Sequence, residues 1–134
     1  MVQNKIVVHY QDGRILKGNT SDFLPVKPTF RIILIDAPAG TPPVEVYVSE
    51  VKAVFFVKDF AGNPEYKEVK VLSRSKPVPG RKITVHFKDG ETLVGITRGY
   101  DPNRHGFFVI PADHRSNNER CFIVSSATRQ ISFI

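Results

Sequence analysis

Between Lys5 and Gln11 the apolar side chains Ile6, Val8 and Tyr10 alternate with Val7 and His9, and from Lys82 the pattern returns as Ile83, Val85 and Phe87 against Thr84 and His86. A period of two predicts a strand with one inward face in each place. Each run meets an Asp-Gly pair, Asp12-Gly13 or Asp89-Gly90, whose glycine tolerates the positive φ of a tight hairpin. A second strand follows, carrying Leu16 or Leu93, and in it Gly18 or Gly95 is expected to mark a bulge or bend. Loops containing Pro25 and Pro102 lead to third strands, FRIILID and FFVIPAD; VEVYVS and RCFIVS are the fourth, KAVFFV and RQISFI the fifth.

The two sets are one pattern written twice. Residues 5–57 align with 82–134 at a constant offset of 77, without a gap, and the identities include His9/His86, Asp12/Asp89, Gly18/Gly95, Phe30/Phe107 and Phe56/Phe133. An internal repeat sets the architecture before any motif does. The fold class expected is all-β: two tandem five-stranded antiparallel small barrels, residues 1–57 and 82–134, joined by a connector, 58–81. The expected core is Ile6, Val8, Tyr10, Leu16, Phe30, Ile32, Val54 and Phe56, with Ile83, Val85, Phe87, Leu93, Phe107, Val109, Ile131 and Phe133 as counterparts. In the connector, Asn63, Pro64 and Glu65 form a helix start signal and Tyr66, Val69 and Leu72 would share a helical face, yet the same letters alternate as a strand. Both readings stay open, with SKPVPGR as an extended tether beyond.

Composition changes the picture only slightly. The 134 residues are 41% hydrophobic and 24% charged, ordinary for a globular protein. The lone Cys121 allows no intrachain disulfide, which suggests a cytoplasmic protein, and no apolar run approaches the roughly 20 residues of a membrane span, so no membrane partner is expected. Asn19-Thr20-Ser21 is then a turn and not a glycosylation site. The net charge of +6 is spread as +1 over residues 1–57, +3 over 58–81 and +2 over 82–134. Phosphate-directed candidates are therefore Lys67, Lys70, Arg74, Lys76, Arg81 and Lys82, continued by Arg98, Arg104, His105, Arg115 and Arg120.

The stretch HFKDGETLVGITRGYDPNRHGFFVIPAD resembles the first half of an Sm-like domain: strand, Asp-Gly turn, bent strand with a central glycine, aromatic-Asp-Pro loop, apolar third strand. The resemblance implies a small barrel, and in that family a nucleotide pocket within an oligomeric ring. Asp101 stands at the place of the pocket aspartate, His105 or Gly106 at that of the asparagine, and Ser125-Ser126-Ala127 where the family has Arg-Gly. The whole pattern is also similar to small barrel domains of bacterial regulatory proteins. Asn19-Thr20-Ser21 resembles the start of the PilZ motif, which implies a cyclic-dinucleotide receptor, although Leu24 takes the glycine place and no Arg-x-x-x-Arg precedes either copy.

Catalytic residues, cofactors and metals are not expected. His9 and His86 are two imidazoles without a third ligand at suitable spacing, Cys121 sits in an apolar strand, and Asp12 and Asp89 belong to their turns. Phe55, Phe56 and Phe60 could stack bases, but one of the adjacent pair must face the core, leaving the other and Phe60 either to cover the contact between the copies or to stand exposed. The expectation is a non-enzymatic binding or adaptor module whose partner is another protein, with RNA or DNA as the alternative. Because the tether lets the copies dock on each other, a monomer or small dimer is expected in preference to a ring.

Overall fold

The computed structural model describes residues 3–60, 80–112 and 118–133. Ten strands build it: β1 (Asn4–Tyr10), β2 (Ile15–Thr20), β3 (Thr29–Leu34), β4 (Val44–Tyr47), β5 (Val51–Val57), β6 (Arg81–Phe87), β7 (Thr92–Thr97), β8 (Gly106–Pro111), β9 (Asn118–Val124) and β10 (Thr128–Phe133). Short 3-10 turns at Val48–Glu50 and Ser125–Ala127 precede β5 and β10. Strands β1–β3 recur residue for residue 77 positions later as β6–β8. All the pairings are antiparallel and form one sheet in the order β10-β6-β7-β8-β9-β5-β1-β2-β3-β4. The fold is thus all-β, and the connector expectation for 58–81 falls almost wholly outside the described residues.

Local chemistry explains the elements. Gly13 and Gly90 take φ of +97° and +94°, and the preceding aspartates close the turns by accepting from the amides of Arg14 (3.0 Å) and Glu91 (2.9 Å). Of the expected bulge or bend, Gly18 and Gly95 do not make the bulge: their pairing with Ile6 and Ile83 is regular. They make room instead, because a Cβ on either would collide with the carbonyl oxygen of Ile33 or Ile110 on the next strand. The register shifts lie between His9 and Tyr10, Thr128 and Gln130, and Phe56 and Val57. Asn19 and Thr20 are also not a turn; they end β2, and the buried Thr20 hydroxyl donates to the Arg31 carbonyl at 2.8 Å, as Thr97 does to Phe108 at 2.9 Å.

Two apolar clusters form the core. One gathers Ile6, Val8, Tyr10, Phe30, Ile32, Val46, Val54 and Phe56, the other Ile83, Val85, Phe87, Leu93, Phe107 and Val109. Leu16, Ile131 and Phe133, expected in the core, are only half-buried against it. Each cluster borrows from the opposite half of the chain: Phe122 and Val124 enter the first, Ala53, Phe55 and Val57 the second. The borrowing follows from the pairing of β5 with β9, which sets Val54 opposite Phe122, Ala53 opposite Ile123 and Phe55 opposite Cys121. Alternate residues of each seam strand serve opposite cores, so β5 is buried at every position.

Candidate functional site

The sheet's geometry gathers three arginines around one cleft. Arg98 follows the last residue of β7, and the loop after it is braced by Asp101, which accepts from the Asn103 amide at 2.9 Å, and by Tyr100, whose ring meets Phe107 and Phe133 edge-on at 4.9 and 5.6 Å. Arg104 lies 3.5 Å from Asp101. Arg120, opposite Phe56 on the seam, lays its guanidinium over the rings of Phe56 (4.3 Å) and Phe108 (5.1 Å), which fixes the plane of its donors. Between them opens a cleft of about 640 Å³ with Ile96, Ile110 and Phe108 in its floor and Pro25 of the first half at its edge. A smaller cleft of about 300 Å³, lined by Lys5, Lys58 and Glu119, adjoins it through Arg120.

Of the residues singled out in the sequence, Arg98, Arg104 and Arg120 come together here. Lys82 pairs with Ile96 and so projects from the same face of the sheet. Arg81 turns to the ring of Phe133, 3.9 Å away, and exposed His105 contributes its carbonyl to the Ser125 amide at 2.9 Å. Lys67, Lys70, Arg74, Lys76 and Arg115 lie outside the described residues. The cleft's apolar floor was missed, although its signal is in the repeat. Ile96, Phe108 and Arg120 stand where the first copy has Asn19, Arg31 and Pro43.

Other candidates resolve into structure. Phe55 packs in the second core and meets His9 edge-on at 4.7 Å, and Phe60 packs half-buried against the same core, so no row of rings is displayed for bases. Burial, followed by the nearby Lys52 charge, pushes the His9 imidazole below its ordinary pKa. His86 lies 3.5 Å from the Thr92 hydroxyl, and among the described residues no group of three or more His, Cys, Asp or Glu could hold a metal. Cys121 is buried in β9. Lys52 reaches from the seam to Asp89 and Glu91, each at 2.7 Å, over the Phe87 ring. Burial alone would lower the Lys52 ammonium, but the two carboxylates outweigh it and hold it above its ordinary range, while Lys52 and the Glu91 amide hold Asp89 below its own. This cluster ties the halves together. No helix among the described residues is long and apolar enough to cross a membrane.

Residues 2–134 match a family described as a family of unknown function, DUF6982. No curated protein and no solved structure matches the chain.

Proposed function

We propose that this chain, which belongs to the DUF6982 family of unknown function, is a non-enzymatic binding module that recognises a partner protein through the arginine-rimmed cleft at the junction of its halves. In this reading each half is a small barrel of the Sm-like kind, consistent with the repeated strand order β5-β1-β2-β3-β4 and β10-β6-β7-β8-β9, and the module acts as a monomer or small dimer in the cytoplasm. One observation carries it: the cleft exists on the second copy because several of its residues depart from the first, with Arg98 for Ser21, Ile96 for Asn19, Phe108 for Arg31 and Arg120 for Pro43, while Ile110 and the charge of Arg104 are shared with Ile33 and Lys27. Packing alone does not call for an exposed arginine rim over an apolar floor, and such a surface suits recognition.

RNA or DNA binding is the second reading, favoured by the proximity of Arg98, Arg104 and Arg120 to Lys82 on one face. Affinity capture from nuclease-treated lysate, with the wild type and with R98Q/R104Q, separates the two. A protein retained after nuclease treatment and lost with the double variant supports the first reading. Equal capture by both forms overturns the cleft as the binding site, and capture abolished by nuclease favours nucleic acid.

A further inference from the structure

We infer that the cleft takes an extended acidic peptide with a single large apolar anchor, an inference that rests on the binding-module reading above. Charge complementarity selects the acidic side. Arg14 pairs with Asp12, Arg31 with Asp22, Lys52 with Asp89 and Glu91, and Arg104 with Asp101. Neither Arg98 nor Arg120 takes part in these pairs, so two guanidinium groups face the cleft with their donors open to a carboxylate.

The floor selects the anchor. Ile96, Ile110 and Phe108 are half-buried and apolar, and about 640 Å³ accommodates a Leu, Ile or Phe side chain with the backbone on either side of it. The adjoining smaller cleft meets the larger one at Arg120, so a ligand lying over Arg120 touches both. That arrangement suits an extended chain and not a compact small molecule.

The same geometry disfavours a nucleic-acid strand. The rings at the site are already engaged: Phe108 by Arg120, Phe56, Phe23 and Phe122, and Tyr100 by Phe107 and Phe133. Stacking of successive bases needs free ring faces. Asp101 and Glu119 also sit along the two clefts between the basic residues. A phosphate at every nucleotide would meet them as like charges, whereas a peptide can place its acidic residues only where the arginines are.

The test uses the full chain and fluorescein-labelled dodecapeptides carrying one Leu flanked by Asp and Glu, matched peptides with Ser for Leu or Lys for the acids, and labelled U12 and dT12, followed by anisotropy. The acidic Leu peptides should bind, weakening at least tenfold with Ser for Leu, with Lys for the acids, or with R98Q. R120K, which keeps the charge but loses the planar fork, should weaken binding at least threefold while its melting temperature shows an intact fold. Tighter binding of U12 or dT12, indifference to the anchor, or no peptide binding overturns the inference. If the lysate experiment shows cleft-dependent capture while these peptides fail, the ligand class alone is wrong. If cleft variants leave capture unchanged, the cleft itself fails as the binding site.

Discussion

The β5–β9 seam and the two outer edges of the sheet, β4 and β10, are made from equivalent strands with opposite chemistry. On the seam β5 offers Ala53 and Phe55; at the matching places β10 has exposed Gln130 and half-buried Ser132. On β9 the seam has Arg120 and Phe122, where the first half has Pro43 just before β4 and Glu45 within it, both exposed. An edge strand with apolar residues on both faces invites another chain, and proline and outward charge are the usual deterrents. The duplicated surface is therefore adhesive once, inside the molecule, and blunted at both free ends. In a head-to-tail arrangement this difference separates a closed pair from a growing assembly.

The most damaging way to break the contrast is to move an edge residue into the seam. Phe122→Glu copies Glu45 into the first core, among the rings of Phe23 and Phe108 at 5.1 and 5.2 Å. An unpaired buried carboxylate together with the lost ring should cost about 3–5 kcal/mol or more out of a total stability of about 5–15 kcal/mol, read by urea denaturation. Phe55→Ser, the counterpart of Ser132, should fall in the lower part of that range. A loss under 1 kcal/mol for both would show that the seam does not unite the cores.

The reverse exchange should open the edges. With Pro43→Arg before β4 and Glu45→Phe on it, and Gln130→Ala and Ser132→Phe on β10, chains should join β10 to β4 and grow with concentration, as light scattering would record. A protein that stayed monomeric would show that side chains alone do not decide closure.

Lys52→Met tests the polar margin of the seam. Because Asp89 and Glu91 are about half exposed (51% and 54%) and can return to water, the loss should be only about 1 kcal/mol. Asp89 is held below its ordinary 3.8, so its contribution is complete above that value and is lost as pH falls through the depressed one. Lys52 is held above its ordinary 10.5, so its contribution is complete below that value and is lost as pH rises through the raised one. Denaturation as a function of pH should show both flanks in the wild type; in K52M the alkaline flank should vanish and the acid flank should shrink to the part that the Glu91 amide supports. The smallest effect belongs to Arg14→Ala: the Asp12–Arg14 pair at 2.8 Å is more than half exposed and stays within its own turn, so the urea midpoint should stay at the wild-type value.

Much of the fold was legible in the chain. Alternation, the Asp-Gly turns and the 77-residue offset placed all ten strands, because each depends on local chemistry. The seam was not foreseen in detail, since pairing between distant edges depends on which surfaces meet. Its trace was there: VKAVFFV loses the period of two because both faces are covered, while RQISF keeps polar positions. The arginines of the cleft were visible as charges, but Ile96, Ile110 and Phe108 read as ordinary strand residues until the strand neighbours defined an outer face. Gly18 and Gly95 show the same limit, because a bulge and a close approach of strands ask for the same residue.

The order of synthesis makes the seam a matter of timing. Strand β5 is complete at Val57, yet Asn118, its first partner on β9, comes 61 residues later. At roughly 5–20 residues per second the ribosome leaves that interval open for about 3–12 s. During it a seven-residue strand with Val, Ala and Phe on both faces has no cover from β9, and on a crowded polysome the neighbouring nascent chains carry the same strand. Slow translation between the halves would lengthen that hazard, and a chaperone that shields the first half until β9 arrives would shorten it.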